Sequence, residues 1–171
     1  MIVIRPFDRA LVRSSTFACG EPGLDLWLRE QASQQERRDN VRTALAVDED
    51  SGRLAGYCST RACETVPDAA FTPAGRARRY PVPAVLIARL AVDLEHQGRG
   101  VGRLLLADTL RRIATTSHVL GFEVVVVHAL HEAAAGFYAT CGFRRFHDQP
   151  LSLFLTTRDL RAAVAVDAPW R

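Results

Sequence analysis

The chain has 171 residues, of which 48% are hydrophobic and 24% are charged, so it is long enough to bury the core of one compact domain. No apolar run reaches the roughly 18–20 residues of a membrane-spanning helix. The stretch Met1–Asp8 also lacks the basic segment and the long apolar run of a signal peptide. We therefore expect a cytoplasmic protein that does not contact a membrane.

The basic residues are all arginine: there are 22 of them, with no lysine, and the formal net charge is +3. The nucleotide composition of the genome is the simplest explanation. Arginine nevertheless suits phosphate, because its planar guanidinium donates two hydrogen bonds at once. A local group of arginines without acidic neighbours is typical of a polyanion-binding patch and equally of a solvated loop. The arginines that fall between Asp68 and Asp93, where no acidic residue occurs, are Arg76, Arg78, Arg79 and Arg89.

The four cysteines, Cys19, Cys58, Cys63 and Cys141, form no Cys-x-x-Cys pair. This spacing predicts reduced thiols rather than a disulfide framework or a zinc site. We expect no metal in the chemistry of the protein.

Strand and helix patterns alternate along the chain. The spacing of Leu24, Trp27 and Leu28 predicts an amphipathic helix, and Asp50-Ser51-Gly52 is the turn of a hairpin. Residues 64–83 form a long proline-rich loop, and such a loop in a small domain is more often functional than not. Four consecutive valines predict a buried strand. The predicted strands are 2–5, 43–48, 54–62, 85–92, 122–129 and 151–156, and the predicted helices are 24–38, 100–117 and 132–141.

The order of these elements predicts an α/β (α+β) fold in which helices flank a central mixed sheet. The sequence has no internal repeat and no low-complexity tract. We expect a single domain over residues 1–162, followed by a C-terminal tail over residues 163–171.

The most informative motif is Gln97-Gly98-Arg99-Gly100-Val101-Gly102, at the junction between an apolar strand and a helix. Glycine permits positive φ and lets a ligand approach the backbone closely. The first amides of a helix have no acceptor within it, and together with the helix dipole they form an anion site. Arg99 and Arg103 add positive charge around that site. The motif therefore predicts a pyrophosphate site, although a tight turn alone would also explain the glycines.

Two other phosphate-binding motifs fit less well. A dinucleotide-binding fold has its glycines after the first strand of a βαβ unit and an acidic residue about 20 residues later. Here the turn lies at mid-chain, and Glu123 stands at the start of the next strand rather than at its end. A Walker loop requires Gly-Lys-Ser/Thr, and the chain has no lysine.

The stretch Leu90-Ala91-Val92-Asp93 followed by Gln97–Gly102 resembles the acetyl-CoA signature of the GNAT acetyltransferases, Gln/Arg-x-x-Gly-x-Gly/Ala. Similar motifs of the second half are His128-Ala129, Ala135-Gly136-Phe137-Tyr138 and Cys141-Gly142-Phe143. The resemblance covers residues 24–160. It implies a GNAT fold with a mixed, mostly antiparallel sheet, and an acetyl-CoA-dependent N-acetyltransferase.

Three further stretches resemble the TacT-like acetyltransferase toxins of type II toxin–antitoxin modules. They are 17–28, with Cys19-Gly20-Glu21-Pro22-Gly23, then Pro83–Asp93, and Pro150–Leu155. The resemblance implies acetylation of the α-amino group of aminoacyl-tRNA, a block of translation, a ribbon-helix-helix antitoxin and a homodimer. Ala88 departs from the pattern, because the related toxins usually carry glycine there.

The resemblance also implies roles for individual residues. Backbone groups of Leu90, Ala91 and Val92 would pair with the pantetheine arm like an added strand. The amides of Gln97, Gly98, Arg99, Gly100, Val101 and Gly102 would hold the pyrophosphate, with Arg103 beside them and Phe137 as a further cofactor contact. Tyr138 would act as the general acid that protonates the departing thiolate, since a phenol has a pKa of about 10. Phe137 and Tyr138 are otherwise simply core aromatics. The arginines Arg76, Arg78, Arg79 and Arg89 would contact the acceptor stem of tRNA.

No residue stands out as a general base. The candidates are Glu64, Asp93, Glu95, His96 and His128. A free α-amine titrates near 7.7–8.0 and is partly neutral at physiological pH, whereas a lysine side chain titrates near 10.4. The absence of a clear base therefore favours an α-amine as the acceptor.

Two other functions remain open at this point. One is a GNAT enzyme for a small amine or a protein N-terminus, which shares the acetyl-CoA site and differs only in acceptor. The other is a non-catalytic CoA-binding or interaction domain.

Overall fold

The computed structural model describes residues 1–68 and 80–165. Arg76, Arg78 and Arg79 lie outside the described residues. The helices are α1 (Arg9–Ser14), α2 (Pro22–Glu30), α3 (Ala32–Arg37), α4 (Val101–Thr116), α5 (Glu132–Thr140) and α6 (Thr157–Ala165). The strands are β1 (Ile2–Pro6), β2 (Arg42–Asp48), β3 (Arg53–Thr65), β4 (Val82–Val92), β5 (Val124–His128), β6 (Arg144–Arg145) and β7 (Ser152–Thr156).

Seven strands form one sheet in the order β1-β2-β3-β4-β5-β7-β6. The pairs β1–β2, β2–β3, β5–β7 and β6–β7 are antiparallel, and the pair β4–β5 is parallel. Parallel neighbours need a crossover connection, and α4 lies in the segment that joins these two strands. The predicted mixed, mostly antiparallel sheet is confirmed.

The chain divides into two compact units, of which the first comprises Met1–Arg61 and Ala88–Thr109. Its core is formed by aromatic and aliphatic side chains from α2, β2, β3 and the end of β4. The predicted apolar face of α2 is confirmed, because Trp27 and Leu28 are both buried. The buried residues at the centre of this core include Phe17, Trp27, Leu28, Leu45, Leu54 and Tyr57.

The second unit comprises Ala62–Ile87 and Leu110–Arg171. Its core lies between β4, β5 and β7, where Val82, Val124 and Phe154 are buried together. All four valines of β5 are buried, as the valine run predicts. Phe146 packs edge-on against Phe154, with ring centroids 5.3 Å apart.

The predicted helix over 24–38 is wrong in one respect, because it is two helices that meet at Gln31. The φ of Gln31 is −113°, which interrupts the helix, although its amide still donates to the carbonyl of Trp27. The sequence reading also missed α1, α6 and the two-residue β6. α6 extends to Ala165, past the predicted start of the tail at residue 163.

Candidate active site

The glycine turn lies between β4 and α4, and a short 3-10 helix, Leu94–His96, separates it from the end of β4. Gly98 and Gly100 have φ values of +73° and +82°, which favour glycine because other residues are strained there. A Cβ at either position would meet nothing within 4 Å. Backbone conformation, rather than a crowding neighbour, therefore requires these two glycines, and the space above them is open to a ligand.

The N-terminus of α4 supplies amides to the same turn. The amide of Leu104 donates to the carbonyl of Gly100 at 3.0 Å, and this bond starts the helical ladder. The amides of Val101 and Gly102 precede it, where a helix offers no acceptor of its own. Arg99 is exposed beside them and Arg103 is half-buried. Open glycines, helix amides and arginine together fit a pyrophosphate.

Side chains in the turn and just before it hold its backbone in shape. The Gln97 amide donates to the carbonyls of Cys19 and Val92, at 2.9 and 3.0 Å. The carboxylate of Asp93, which is only 4% exposed, accepts from the amides of Ala18 and Glu95, each at 3.1 Å. The turn is thus fastened to the segment before α2, a role that the sequence motif does not reveal.

Gly56 on β3 packs against the segments on either side of the turn, and sequence reasoning missed this role. A Cβ there would lie 2.8 Å from the carbonyl oxygen of Ala91 and 2.9 Å from a methyl carbon of Leu105. The absence of a side chain lets the end of β4 and the first turns of α4 come close to β3. No local pattern in the sequence marks this requirement, because both neighbours are distant along the chain.

Arg89 lies on β4 and is held against an aromatic stack. Its guanidinium carbon is 4.1 Å from the ring centroid of Trp27, which stacks in turn on Tyr57 at 5.8 Å. The Tyr57 hydroxyl donates to the carbonyl of Leu24 at 2.9 Å. Partial burial lowers the pKa of Arg89, and the nearby charge of Arg61 lowers it further. Arg89 is therefore a positioned cation rather than a freely moving surface arginine.

Tyr138 belongs to the second unit and lies on α5. Its side chain is 6% exposed and packs edge-on against Phe137 and Phe143, at centroid distances of 5.2 and 5.7 Å. The helix begins at the cap residue His131, whose Nδ1 accepts from the amide of Ala134. It ends at Thr140, and Gly142, just beyond the cap residue Cys141, has a φ of +93°, which is common after the end of a helix. Both ends of α5 are thus fixed, which holds the tyrosine ring in place.

A parallel β4–β5 pair, a mixed sheet and a positive-φ glycine turn between β4 and α4 define an α/β architecture with an anion-binding turn before a helix. Residues 40–145 match the family model described as acetyltransferase (GNAT) domain. The chain belongs to the GNAT acetyltransferases, and it is an N-acetyltransferase with acetyl-CoA as the acetyl donor.

Several proteins of known class are similar to the chain. A curated tRNA-acetylating toxin of Mycobacterium tuberculosis (strain ATCC 25618 / H37Rv) is 35% identical, over 88% of this chain and 89% of the relative. A crystal structure of a Tyr→Phe mutant of KacT is 27% identical with a TM-score of 0.83, covering 94% of this chain and 98% of that one. A Tyr→Phe mutant of the toxin AtaT, bound to the C-terminus of the antitoxin AtaR and acetyl-CoA, is 25% identical with a TM-score of 0.76, covering 94% and 96%.

Further features of the described residues concern metal clusters, membrane helices and thiols. Within residues 1–68 and 80–165, no three His, Cys, Asp or Glu side chains are grouped as a metal site would need. No helix in these ranges is long and apolar enough to cross a membrane. The four cysteines, all within the described residues, form no disulfide. Burial raises the pKa of Cys19 to about 11 and that of Cys58 to about 12.

Proposed function

We propose that the protein is a toxin that acetylates the α-amino group of aminoacyl-tRNA and thereby blocks translation. The observation that carries this proposal is the 35% identity to a tRNA-acetylating toxin over nearly the full length of both chains. A match that leaves so little of either chain uncovered includes the acceptor side of the protein as well as the acetyl-CoA side.

We assign the donor side to the turn between β4 and α4. Backbone groups of Leu90, Ala91 and Val92 bind the pantetheine arm, and the amides of Gln97–Gly102 bind the pyrophosphate with Arg99 and Arg103. The open φ-positive glycines and the helix amides support this assignment. Phe137 is assigned to the same ligand by family membership. Acetyl-CoA supplies an activated acetyl group when it is bound.

Tyr138 is assigned the role of general acid. Acetyl transfer breaks a carbon–sulfur bond, and the sulfur needs a proton as it leaves. The fixed ring of Tyr138 suits this role, because a general acid must be held in one geometry. The similar solved structures include Tyr→Phe mutants of KacT and AtaT, each of which lacks one phenol oxygen.

The acceptor side requires phosphate contacts, because tRNA is a polyanion. We assign Arg89 to the acceptor end, since its guanidinium is held over Trp27 and beside Arg61. Arg76, Arg78 and Arg79 are assigned to the acceptor stem on their sequence alone.

The proposed toxin function also implies partners for the protein. We propose that a cognate ribbon-helix-helix antitoxin neutralises it, that it forms a homodimer, and that it acts in the cytoplasm. The similarity to a toxin structure that contains an antitoxin C-terminus supports the first of these.

Incubation of the purified protein with radiolabelled acetyl-CoA and tRNA charged with the full set of amino acids tests the proposal. We expect label on charged tRNA, none on uncharged tRNA, and arrest of a cell-free translation reaction. Label that reaches free small amines or peptide N-termini, but never charged tRNA, would instead show that the protein is a GNAT enzyme for a small amine or a protein N-terminus. The absence of any transfer despite acetyl-CoA binding would establish a non-catalytic domain.

The phosphate contacts have a separate test. Binding of charged tRNA should weaken steeply as salt rises, because each phosphate contact releases counterions. Arg78→Glu combined with Arg79→Glu should reduce binding strongly. Full activity in that double variant, or a flat salt response, would reject the assignment of these arginines.

A further inference from the structure

Acetyl transfer to an amine moves two protons, and Tyr138 accounts for only one of them. The sulfur gains a proton, while the amine nitrogen must lose one as its bond to the acetyl carbon forms. Five of the carboxylates and imidazoles in the sequence are candidates to accept that proton: Glu64, Asp93, Glu95, His96 and His128. The structure separates them by what each one already does.

Four of the five are poorly placed for this task. Asp93 and His96 are buried, with 4% and 6% of their surface exposed. The Oδ1 of Asp93 lies 3.4 Å from the Nδ1 of His96, and Asp93 already holds the glycine turn in place. Glu95 forms an ion pair with Arg53. Glu64 is an exposed side chain near the end of β3, and the described part of the chain gives it no hydrogen bond that would orient it.

His128 is oriented by a chain of hydrogen bonds. Its Nδ1 is 2.8 Å from the hydroxyl oxygen of Ser152, and that hydroxyl donates to the side-chain oxygen of Gln149 at 3.1 Å. The backbone of Ser152 is fixed as well, because its amide donates to Gln149 and its carbonyl accepts from Phe146, each at 2.9 Å. With its own proton directed to Gln149, the Ser152 oxygen accepts from Nδ1–H of the ring. Nε2 then carries the lone pair, and its position is set by a rigid support.

The position of His128 in the fold suits a reacting group. It is the last residue of β5, where four buried valines are followed by an exposed imidazole. The strand is held in register up to that point, because His128 pairs with Ser152 of β7 and the next amide, that of Ala129, donates to Leu151 at 2.8 Å. Ligands of sheets with parallel strands commonly bind at the carboxyl ends of those strands, and β5 is parallel to β4. The chain then continues into α5, which carries Tyr138.

We propose that His128 is the general base of the reaction, with Nε2 accepting the proton of the α-amine. This inference rests on the proposed acetyl transfer to charged tRNA. The amine nitrogen forms a bond to the acetyl carbon and gives its proton to Nε2 of His128. The carbon–sulfur bond breaks, and the sulfur takes the proton of Tyr138. His128 then gives its proton to solvent and Tyr138 takes a proton from solvent, so the enzyme is restored.

Chemical rescue tests this assignment. His128→Ala should lower kcat for acetylation of charged tRNA about 100-fold, at the lower end for general bases because the amine is already partly neutral. The KM for acetyl-CoA should be unchanged, and added imidazole should restore much of kcat in a concentration-dependent way. Ser152→Ala should give a smaller loss that imidazole does not restore, because the ring remains but is no longer held.

His131→Ala is the matched control. It removes an imidazole three residues away, whose Nδ1 caps α5. We expect a lower melting temperature, and a rate that does not respond to imidazole. Rescue of both variants to the same extent would show a solvent effect of imidazole and would overturn the assignment.

Two further results count against His128 alone. Wild-type kcat in the folded His128→Ala variant, or a loss that imidazole does not restore while circular dichroism shows a native fold, would reject it as the base. Failure of the proposed function has a different signature, namely a wild-type protein that labels another amine and never charged tRNA. The imidazole rescue can be run on that other amine, so the two outcomes are distinguished.

Discussion

The glycine turn before α4 and the α5 segment that carries Tyr138 contribute to function in different ways. In the turn, the groups that we assign to the ligand are backbone amides and open glycines, while the side chains of Asp93 and Gln97 hydrogen-bond to the backbone and hold the loop. In the α5 segment the backbone is an ordinary capped helix, and the proposed functional group is the side chain of Tyr138. The first region should therefore be sensitive to backbone conformation, and the second to the loss of single atoms.

Tyr138→Phe should produce the largest effect, because it removes one oxygen from a ring that is otherwise held in place. We expect kcat to fall by about 100-fold or more, with the KM for acetyl-CoA and the melting temperature nearly unchanged. Steady-state kinetics and thermal unfolding measure both quantities, and expression of the variant should no longer arrest growth. A variant with wild-type kcat would place the α5 segment among structural elements only.

Gly100→Ala tests the backbone side of the comparison. A non-glycine residue at φ +82° costs about 1–2 kcal/mol, so the turn should distort and the KM for acetyl-CoA should rise about tenfold. Gly52→Ala is the matched control, since Gly52 has φ +68° in the β2–β3 hairpin and equally open space. It should lower the melting temperature without changing this KM. Equal effects of both variants on KM would contradict the assignment of the turn.

Trp27→Phe probes the support beneath Arg89. Phenylalanine attracts a cation less strongly than tryptophan, and the change from one to the other should remove about 0.5–1 kcal/mol of a cation–π contact that is worth up to about 2 kcal/mol when buried. The KM for charged tRNA should rise about two- to fivefold, and the KM for acetyl-CoA should stay the same. Phe17→Leu is a suitable control, because Phe17 packs on Tyr57 in the same core. If both KM values change together in Trp27→Phe, the stack of Arg89, Trp27 and Tyr57 has only a structural role.

Thiol modification should have the smallest effect. The raised pKa of Cys19, about 11, and of Cys58, about 12, leaves almost no thiolate at neutral pH, because a thiol ionises only as the pH approaches its pKa. Iodoacetamide at pH 7.5 should leave both residues unmodified in the native protein and acetylation unaffected. Mass spectrometry of tryptic peptides checks this, and unfolding in urea should make both thiols reactive.

The sequence predicts those parts of the molecule that local pattern determines. Four adjacent valines mark β5, and alternating glycines mark the turn before α4, because both signals lie within a few residues. The α1 and β6 elements escaped prediction because six and two residues are too few to show a period. The break at Gln31 escaped it because the apolar face continues across the joint.

The parts that could not be predicted depend on contacts between distant residues. Arg89 and Trp27 are 62 positions apart, and only the fold brings the guanidinium over the ring. The sequence predicts only an ordinary strand residue at Gly56, because Ala91 and Leu105 come close to it only in the folded chain. The orientation of His128 likewise depends on Ser152 in another strand.

The central position of β5 has a consequence for hydrogen exchange. Its valines pair with β4 on one side and with β7 on the other, and all four are buried. Amides in such a strand exchange with solvent only when the surrounding structure opens as a whole. We expect the amides of Val125, Val126 and Val127 to be among the last to take up deuterium. His128 is therefore anchored to one of the slowest-opening segments of its unit.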